Sequence, residues 1–214
     1  MRQRRIQTVT VRQNWIARYF ARFNLSLEQI SHSQPGAETA GRLLIPAVTM
    51  TQSAELTTTA LDGPPMLIAA ESFSRVSSYY LRKRWFWLGA IYALAIILVL
   101  SNFSLWLLLP TSAIVLTIGL AQYRNWRLLG LAINGDFLTL RTGLIGRNYV
   151  VLPLYKVQRV TLVQSPFMVR RKVANVRLFL ASRVVTLPCL PEALAREVAN
   201  FTLCLVEEQP RSWM

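Results

Sequence analysis

From Trp85 to Tyr123 the chain runs for thirty-nine residues without one Asp, Glu, Lys or Arg. A helix crossing a bilayer needs about 20 apolar residues, so a run of nearly twice that length reads as two spans. The expected spans are Trp85–Leu100 and Leu105–Gln122, joined by the uncharged turn Ser101-Asn102-Phe103-Ser104 and helped by the break at Pro110. Arg82, Lys83 and Arg84 precede the first span, and Arg124 and Arg127 follow the second. The positive-inside tendency then places both flanks, and both termini, in the cytoplasm. Trp85, Trp87, Tyr123 and Trp126 are expected at the inner interface and Trp106 at the outer one. A buried pair of helices in a soluble protein is the competing reading. It is disfavoured because a soluble core seldom needs two all-apolar helices in succession.

The formal net charge of +14 is concentrated beside this run. Nine basic and no acidic residues lie between Phe137 and Pro191, and six Arg with no acid lie between Met1 and Leu27. Basic segments flanking cytoplasmic helix ends meet an anionic leaflet, each well-placed cation contributing about 1 kcal/mol. Nucleic acid is the other partner class for so basic a chain, and tethering to a membrane makes it the weaker expectation. The N-terminus, Met-Arg-Gln-Arg-Arg, has no apolar core of a signal peptide. Cys189 and Cys204 have neither CxxC spacing nor His partners and are expected as reduced, packed thiols.

Before the apolar run, Arg5–Gln13 is a β-branched strand pattern, and Asn14–Phe23 is a short helix or a basic, aromatic loop. Asn24–Glu28 alternates like a strand, Leu43–Ile45 is a short strand stopped by Pro46, and Ala47–Leu61 has helical composition. Asp62-Gly63-Pro64-Pro65 marks a linker. After the run the pattern is β. Strands are expected at Leu128–Ile133, Phe137–Arg141, Tyr149–Leu154, Val157–Val163, Asn175–Leu180 and Val184–Leu187, with Pro188 and Pro191 ending them. Asn134-Gly135-Asp136 is a hairpin turn. Glu192–Val206 closes as an amphipathic helix with Leu194, Val198, Phe201 and Leu205 on one face. This order suggests a small barrel or sandwich capped by a helix.

The chain also repeats itself. At an offset of 151, Gln7, Val9, Thr10, Gln13, Asn24 and Leu27 fall on Gln158, Val160, Thr161, Gln164, Asn175 and Leu178. At an offset of 142, Ile45-Pro46 falls on Leu187-Pro188 and Glu55-Leu56 on Glu197-Val198. The difference of nine sits in the polar loop around His32–Ala40. The first copy therefore begins in the middle of a domain. Either the chain is the C-terminal part of a longer protein, the favoured expectation, or the missing strands come from another chain, since an open edge is a liability.

Strand-turn-strand, then Leu-Pro-Leu-Tyr-Lys-Val-Gln-Arg-Val (Leu152–Val160), then Thr-Leu-Val-Gln-Ser-Pro-Phe and Arg170-Arg171-Lys172, resembles the bacterial pleckstrin-homology-like membrane proteins of the YdbS/YdbT type. The motif stands twice, at Arg5–Gln13 and Lys156–Gln164. The resemblance implies a membrane α+β protein of the bacterial cytoplasmic membrane: a transmembrane helical hairpin plus a PH-like β-roll closed by a C-terminal helix, with a partial second copy at the N-terminus. The expected division is a half domain over 1–61, a linker over 62–81, the hairpin over 82–127, a complete domain over 128–208 and a tail over 209–214.

Catalysis needs a nucleophile, base or metal in suitable company. His32 is the only histidine, and Asp136 is the only acid between Arg82 and Pro191. No carboxylate pair, Gly-rich phosphate loop or Cys/His cluster appears, so neither an enzyme nor a cofactor is expected. The candidate binding residues are Arg159, Phe167, Met168, Arg170, Arg171, Lys172, Arg177 and Arg183, with Trp15, Arg18 and Arg22 in the first copy. Cations beside Phe167 and Met168 suit a lipid headgroup region. Phosphoinositide binding is not carried over, because the first hairpin turn here is Asn134-Gly135-Asp136 rather than a basic one. The partners expected are anionic lipid first and, second, a related PH-like membrane protein or another copy of the chain, by strand addition at an open edge.

Overall fold

The computed structural model describes residues 6–29, 42–61, 73–101, 105–144 and 146–208. His32, the linker after Leu61 and the turn at 102–104 lie outside the described residues. The N-terminal segment holds β1 (Ile6–Gln13), α1 (Trp15–Tyr19), β2 (Phe23–Gln29), β3 (Arg42–Val48) and α2 (Met50–Leu61). A short β4 (Ser74–Arg75) leads into α3 (Tyr79–Ser101), a 3-10 turn (Leu105–Leu107) and α4 (Leu108–Leu128). The remainder is β5 (Gly130–Asn134), β6 (Phe137–Thr142), β7 (Arg147–Pro153), β8 (Arg159–Val163), α5 (Pro166–Arg170), β9 (Val173–Phe179), β10 (Val184–Pro191) and α6 (Glu192–Glu208).

The described residues form two antiparallel sheets. One has seven strands in the order β3-β2-β1-β7-β6-β5-β4, and the other has three, β10-β9-β8. Strands β5 to β7 are apolar on both faces because both faces are covered. Leu131, Leu138, Leu140, Val150 and Leu152 join a core with the three-stranded sheet and with Val198 and Leu205 of α6. Their alternates Ala132, Phe137, Tyr149 and Val151 join a second core with Val9, Val11, Leu25 and Leu27 and with Ala60 and Leu61 of α2. The edge of β1 is not left open. It pairs with β7 from Val9↔Val151 to Gln13↔Arg147. Lys156 Nζ donates to the Ile6 carbonyl at 2.6 Å. Arg183 pairs with Glu28 at 3.2 Å, tying the β9–β10 turn to β2.

The repeat offsets carry backbone detail as well as residue types. The offset of 151 takes α1 onto α5, and that of 142 takes the start of α2 onto the start of α6. Ala21 and Lys172, related by 151, both have positive φ, as do Ala47 and Cys189, related by 142. Asn24 Oδ1 accepts from the Ala47 N–H at 3.2 Å, and Asn175 Oδ1 accepts from the Cys189 N–H at 2.7 Å. Each bond closes a bulge where the register slips, between Phe23 and Leu25 in one pair and Leu187 and Leu190 in the other.

Two prolines expected to stop strands do not: Pro46 lies inside β3 and Pro188 inside β10, whereas Pro191 is the last residue of β10 and ends it as expected. Both strands are sheet edges, where a residue without an N–H is tolerated, and the bulges absorb the rest. The short helix α5 and strand β4 were not anticipated, being too brief to show a period.

Among the described residues α3 is the one helix long and apolar enough to cross a bilayer. The second expected span is only partly matched. In α4 the apolar stretch ends near Ala121, and Gln122, Arg124, Asn125 and Arg127 follow. Fourteen helical residues rise about 21 Å, short of a hydrocarbon core of about 30 Å. The two helices pack together, with Tyr92 Oη and Ser112 Oγ 2.6 Å apart, while Ile91, Leu94, Ile97 and Leu98 of α3 stay exposed.

Replacing Asn175 by Ala removes the acceptor that closes the β10 bulge. We expect a loss of about 1–3 kcal/mol, read as a lower denaturation midpoint of the detergent-solubilised chain. Asn24→Ala, at a more exposed and longer bond, is expected to cost less. Equal midpoints for Asn175→Ala and the unmodified protein would refute this role.

Candidate functional site

Strand direction decides which loops share an end of the body. α4 ends at Leu128 and β5 starts two residues later, so the Gly130 end of β5 marks where the apolar helices leave. Gly130 pairs with Arg141, and Arg141 with Tyr149, so the β6–β7 turn returns to this end. Gln13 pairs with Arg147, which brings α1 there too. The approach is close enough that a Cβ at Gly146 would collide with the Gln13 carbonyl. On the other sheet, Val163 pairs with Asn175, and β10 finishes beside β9's start, at Pro191↔Val173. The Ser77 N–H, just before α3, donates to the Cys189 carbonyl at 3.0 Å, and Asn175 Nδ2 reaches Met168 Sδ at 3.8 Å. α5 therefore also sits at the helix end. The opposite end holds the Asn134–Asp136 turn, the Glu28–Arg183 pair and the acidic close of α6.

The helix end gathers aromatic and cationic side chains. Trp15, Ile16, Tyr19 and Phe20 of the α1 region are exposed, Tyr19 at 88% and Trp15 at 67%, next to the exposed Arg18 and Arg22. In the equivalent place Phe167 is 70% exposed, followed by exposed Val169, Arg170, Arg171 and Lys172. Short helices followed by a positive-φ residue push these side chains outward in both copies. Leu144, in the β6–β7 turn, is a further exposed apolar group there.

Not every residue singled out in the sequence joins this surface. Met168 is 3% exposed and packs into the core, and its exposed neighbour Val169 takes the outward position. In a five-residue helix, alternate sides point in and out, which composition alone does not reveal. Arg183 is at the opposite end, held by Glu28 and Thr10. Arg159, also toward that end, lies over the Phe179 ring at 5.4 Å. Arg177 is exposed on the outer face of β9, midway between the ends. Trp15, Arg18, Arg22, Phe167, Arg170, Arg171 and Lys172 come together at one end. Ile16, Tyr19, Phe20 and Val169 belong with them, and the repeat was the signal that pointed to the first three.

Charges also ring the helix bases. Arg84 stacks on Tyr80 at 4.6 Å, and the Arg127 guanidinium is 5.9 Å from the Tyr123 ring centroid. Trp126 Nε1 donates to the Val76 carbonyl at 3.1 Å, fixing α4 to the connection between β4 and α3. Arg141 lies 4.5 Å over Phe73 and donates to the Leu128 carbonyl at 2.9 Å. Burial pulls its pKa below the ordinary value, partly offset by Tyr149, but a guanidinium keeps its charge at neutral pH. Among the described residues no group of three His, Cys, Asp or Glu is placed to hold a metal ion.

The family model described as bacterial PH domain matches residues 76–203. The chain belongs to this family. The bacterial PH match runs from the strand end before α3, through both apolar helices, to α6. The N-terminal β1–α2 segment lies outside it, yet repeats its second half at the offsets described above. No curated protein and no solved structure gives a match.

Both cysteines are free thiols, one packed and one not: Cys189 is buried and Cys204 exposed. The expectation of two packed thiols therefore fails for Cys204, which falls on the outer side of α6. Its thiol lies 3.2 Å from Glu208 Oε1, and that hydrogen bond, then the carboxylate charge, pushes its pKa up. Burial raises the Cys189 pKa, partly countered by Lys83. The thiolate is the reactive form. We expect maleimide to label Cys204 before Cys189, and Glu208→Gln to speed Cys204 labelling at neutral pH by lowering its pKa. A labelling rate unchanged in that variant would count against the contact.

Proposed function

We propose that this bacterial PH-family chain is a non-enzymatic protein of the bacterial cytoplasmic membrane that lays one end of its PH-like body on the anionic inner leaflet. α3 crosses the bilayer, α4 returns with the 3-10 turn before it, and both termini stay in the cytoplasm. The N-terminal segment acts as a second, partial PH-like module. The observation that carries this reading is the clustering of α1 and α5 at the end where the apolar helices emerge. A membrane reached by α3 meets Trp15, Tyr19 and Phe167 at headgroup depth, with Arg18, Arg22, Arg170, Arg171 and Lys172 beside them. Each cation contributes about 1 kcal/mol near such a surface, while the aromatic groups enter the acyl boundary.

The test uses the full chain reconstituted in vesicles, with a nitroxide at Phe167→Cys in a Cys189→Ala, Cys204→Ser background. We expect anionic lipid to raise oxygen contact and lower contact with a water-soluble nickel relaxant at this position. A label at Asp136→Cys should not respond. Salt and the Arg170→Glu, Arg171→Glu, Lys172→Glu variant should reverse the effect, since screening weakens exposed charge interactions. A label at 167 that stays in water in anionic vesicles would sink the proposal.

A second reading, in which the PH-like body is a scaffold, draws on β8. Its repeat equivalent β1 is paired on both sides, whereas β8 ends its sheet, and Leu162 is 43% exposed where its counterpart Val11 is buried. A β7-like strand of another PH-family chain fits that edge. Under this reading Thr161→Pro abolishes a co-purifying family partner and leaves the lipid response intact.

A further inference from the structure

A cleft of about 410 Å³ opens where α3, α4 and the β10 bulge meet. It lies on one face of α3, where Tyr80, Lys83, Arg84, Trp87, Leu88 and Ile91 succeed one another at helical spacing. Across from them stand Gln122 of α4 and the Asn175–Cys189 junction that closes the bulge. From Tyr80 to Ile91 the helix rises about 16 Å, so the cleft starts at the cationic base of α3 and ends on its exposed apolar flank. The charges are therefore at one end and the apolar wall at the other.

This gradient matches the build of a phospholipid. A phosphate at the upper end meets two cations whose only company among the described residues lining the cleft is aromatic, polar or apolar, with no carboxylate. The first carbons of an acyl chain continue along Trp87, Leu88 and Ile91. Gln122 supplies a third constraint: its Oε1 is buried and has no hydrogen-bond partner. A buried acceptor left unpaired is unfavourable and calls for a donor. A hydroxyl on the lipid headgroup is such a donor once the Gln122 amide turns toward the cleft, and a zwitterionic choline headgroup has none.

We propose that this cleft holds one anionic phospholipid with a hydroxyl-bearing headgroup, its phosphate on Lys83 and Arg84 and a headgroup hydroxyl donating to Gln122. The site rests on the membrane reading above but is distinct from the α1 and α5 surface. The surface makes diffuse contact with many lipids, whereas the cleft orders a single one between the helix base and the PH-like body. The bound lipid would fix the angle at which that body meets the leaflet, because it touches both.

The experiment takes the full chain in mild detergent and reads retained lipid by native mass spectrometry after adding phosphatidylglycerol, phosphatidylcholine or inorganic phosphate. One phosphatidylglycerol should stay bound per chain, phosphatidylcholine should not, and inorganic phosphate in excess should not displace it. Lys83→Gln and Arg84→Gln should each weaken retention about tenfold. Ile91→Trp, at an exposed position that leaves the charges alone, should weaken it by filling the apolar end. Gln122→Leu should lower retention while raising the thermal midpoint of the lipid-free protein, because it removes the unpaired acceptor. Equal retention of phosphatidylcholine, undiminished retention in the Lys83 and Arg84 variants, or displacement by phosphate would each overturn the proposal. The Arg170–Lys172 charge reversal should leave the retained lipid in place while freeing the Phe167 label from the vesicle surface. Failure of the cleft and failure of the surface reading are thus read by different signals.

Discussion

The arrangement depends on the pairing of β1 with β7. Through it β1, β2 and β3 extend the sheet formed by β5 to β7, which come to be covered on both faces. A strand that faces water on one side alternates apolar and polar residues, but one buried on both sides cannot. Leu152, Val151 and Val150 in succession, all buried, are the direct result. The pairing also covers an edge of β1 that would otherwise be open and would invite association with other chains.

The same pairing orients the candidate surface. β1 runs antiparallel to β7, so the chain leaves β1 at the end where α4 delivers β5. That register places α1 beside the helix bases, although α1 ends sixty residues before α3 begins. The β8–β9 pairing does the same for α5. Two instances of one short motif, a five-residue helix with outward aromatic and cationic groups, thus face one way. The internal likeness alone would not ensure this, because the β1–α2 segment docked in the reverse sense would turn α1 toward the far end.

Much of the fold was legible in residue order. The first half of the uncharged run, the Asn-Gly-Asp turn and the amphipathic close of α6 each rest on a local rule and were met at nearly the expected limits, whereas the second span was matched only in part and Phe201 lies outside the apolar face of α6. The repeat was legible too, down to Asn24 and Asn175, whose side chains close equivalent bulges. What failed had a common cause. Pro46 and Pro188 read as strand ends because proline lacks an N–H, yet at a sheet edge that N–H has no partner to lose. Met168 read as exposed because it stands among exposed residues, yet a five-residue helix turns one of its five inward. Arg183 read as part of a basic surface because it follows other cations, but Glu28 draws it to the far end across a separation only tertiary structure closes.

What the sequence determined by itself is therefore what short-range physics controls. It set the apolar helix that can span a bilayer, the strands and their turns, the excess of cations beside the helices and the recurrence of one residue pattern. These follow from hydropathy, period and turn chemistry within a few residues. Only the tertiary structure decided which edge of β1 was taken, which cations were consumed by internal pairs, and which aromatic groups share an end. It also decided that Lys83, Arg84 and Gln122, from two helices, border one cleft against the β10 bulge. Those outcomes depend on strand register and on contacts between segments remote in the chain, and no local pattern encodes the direction in which two sheets meet.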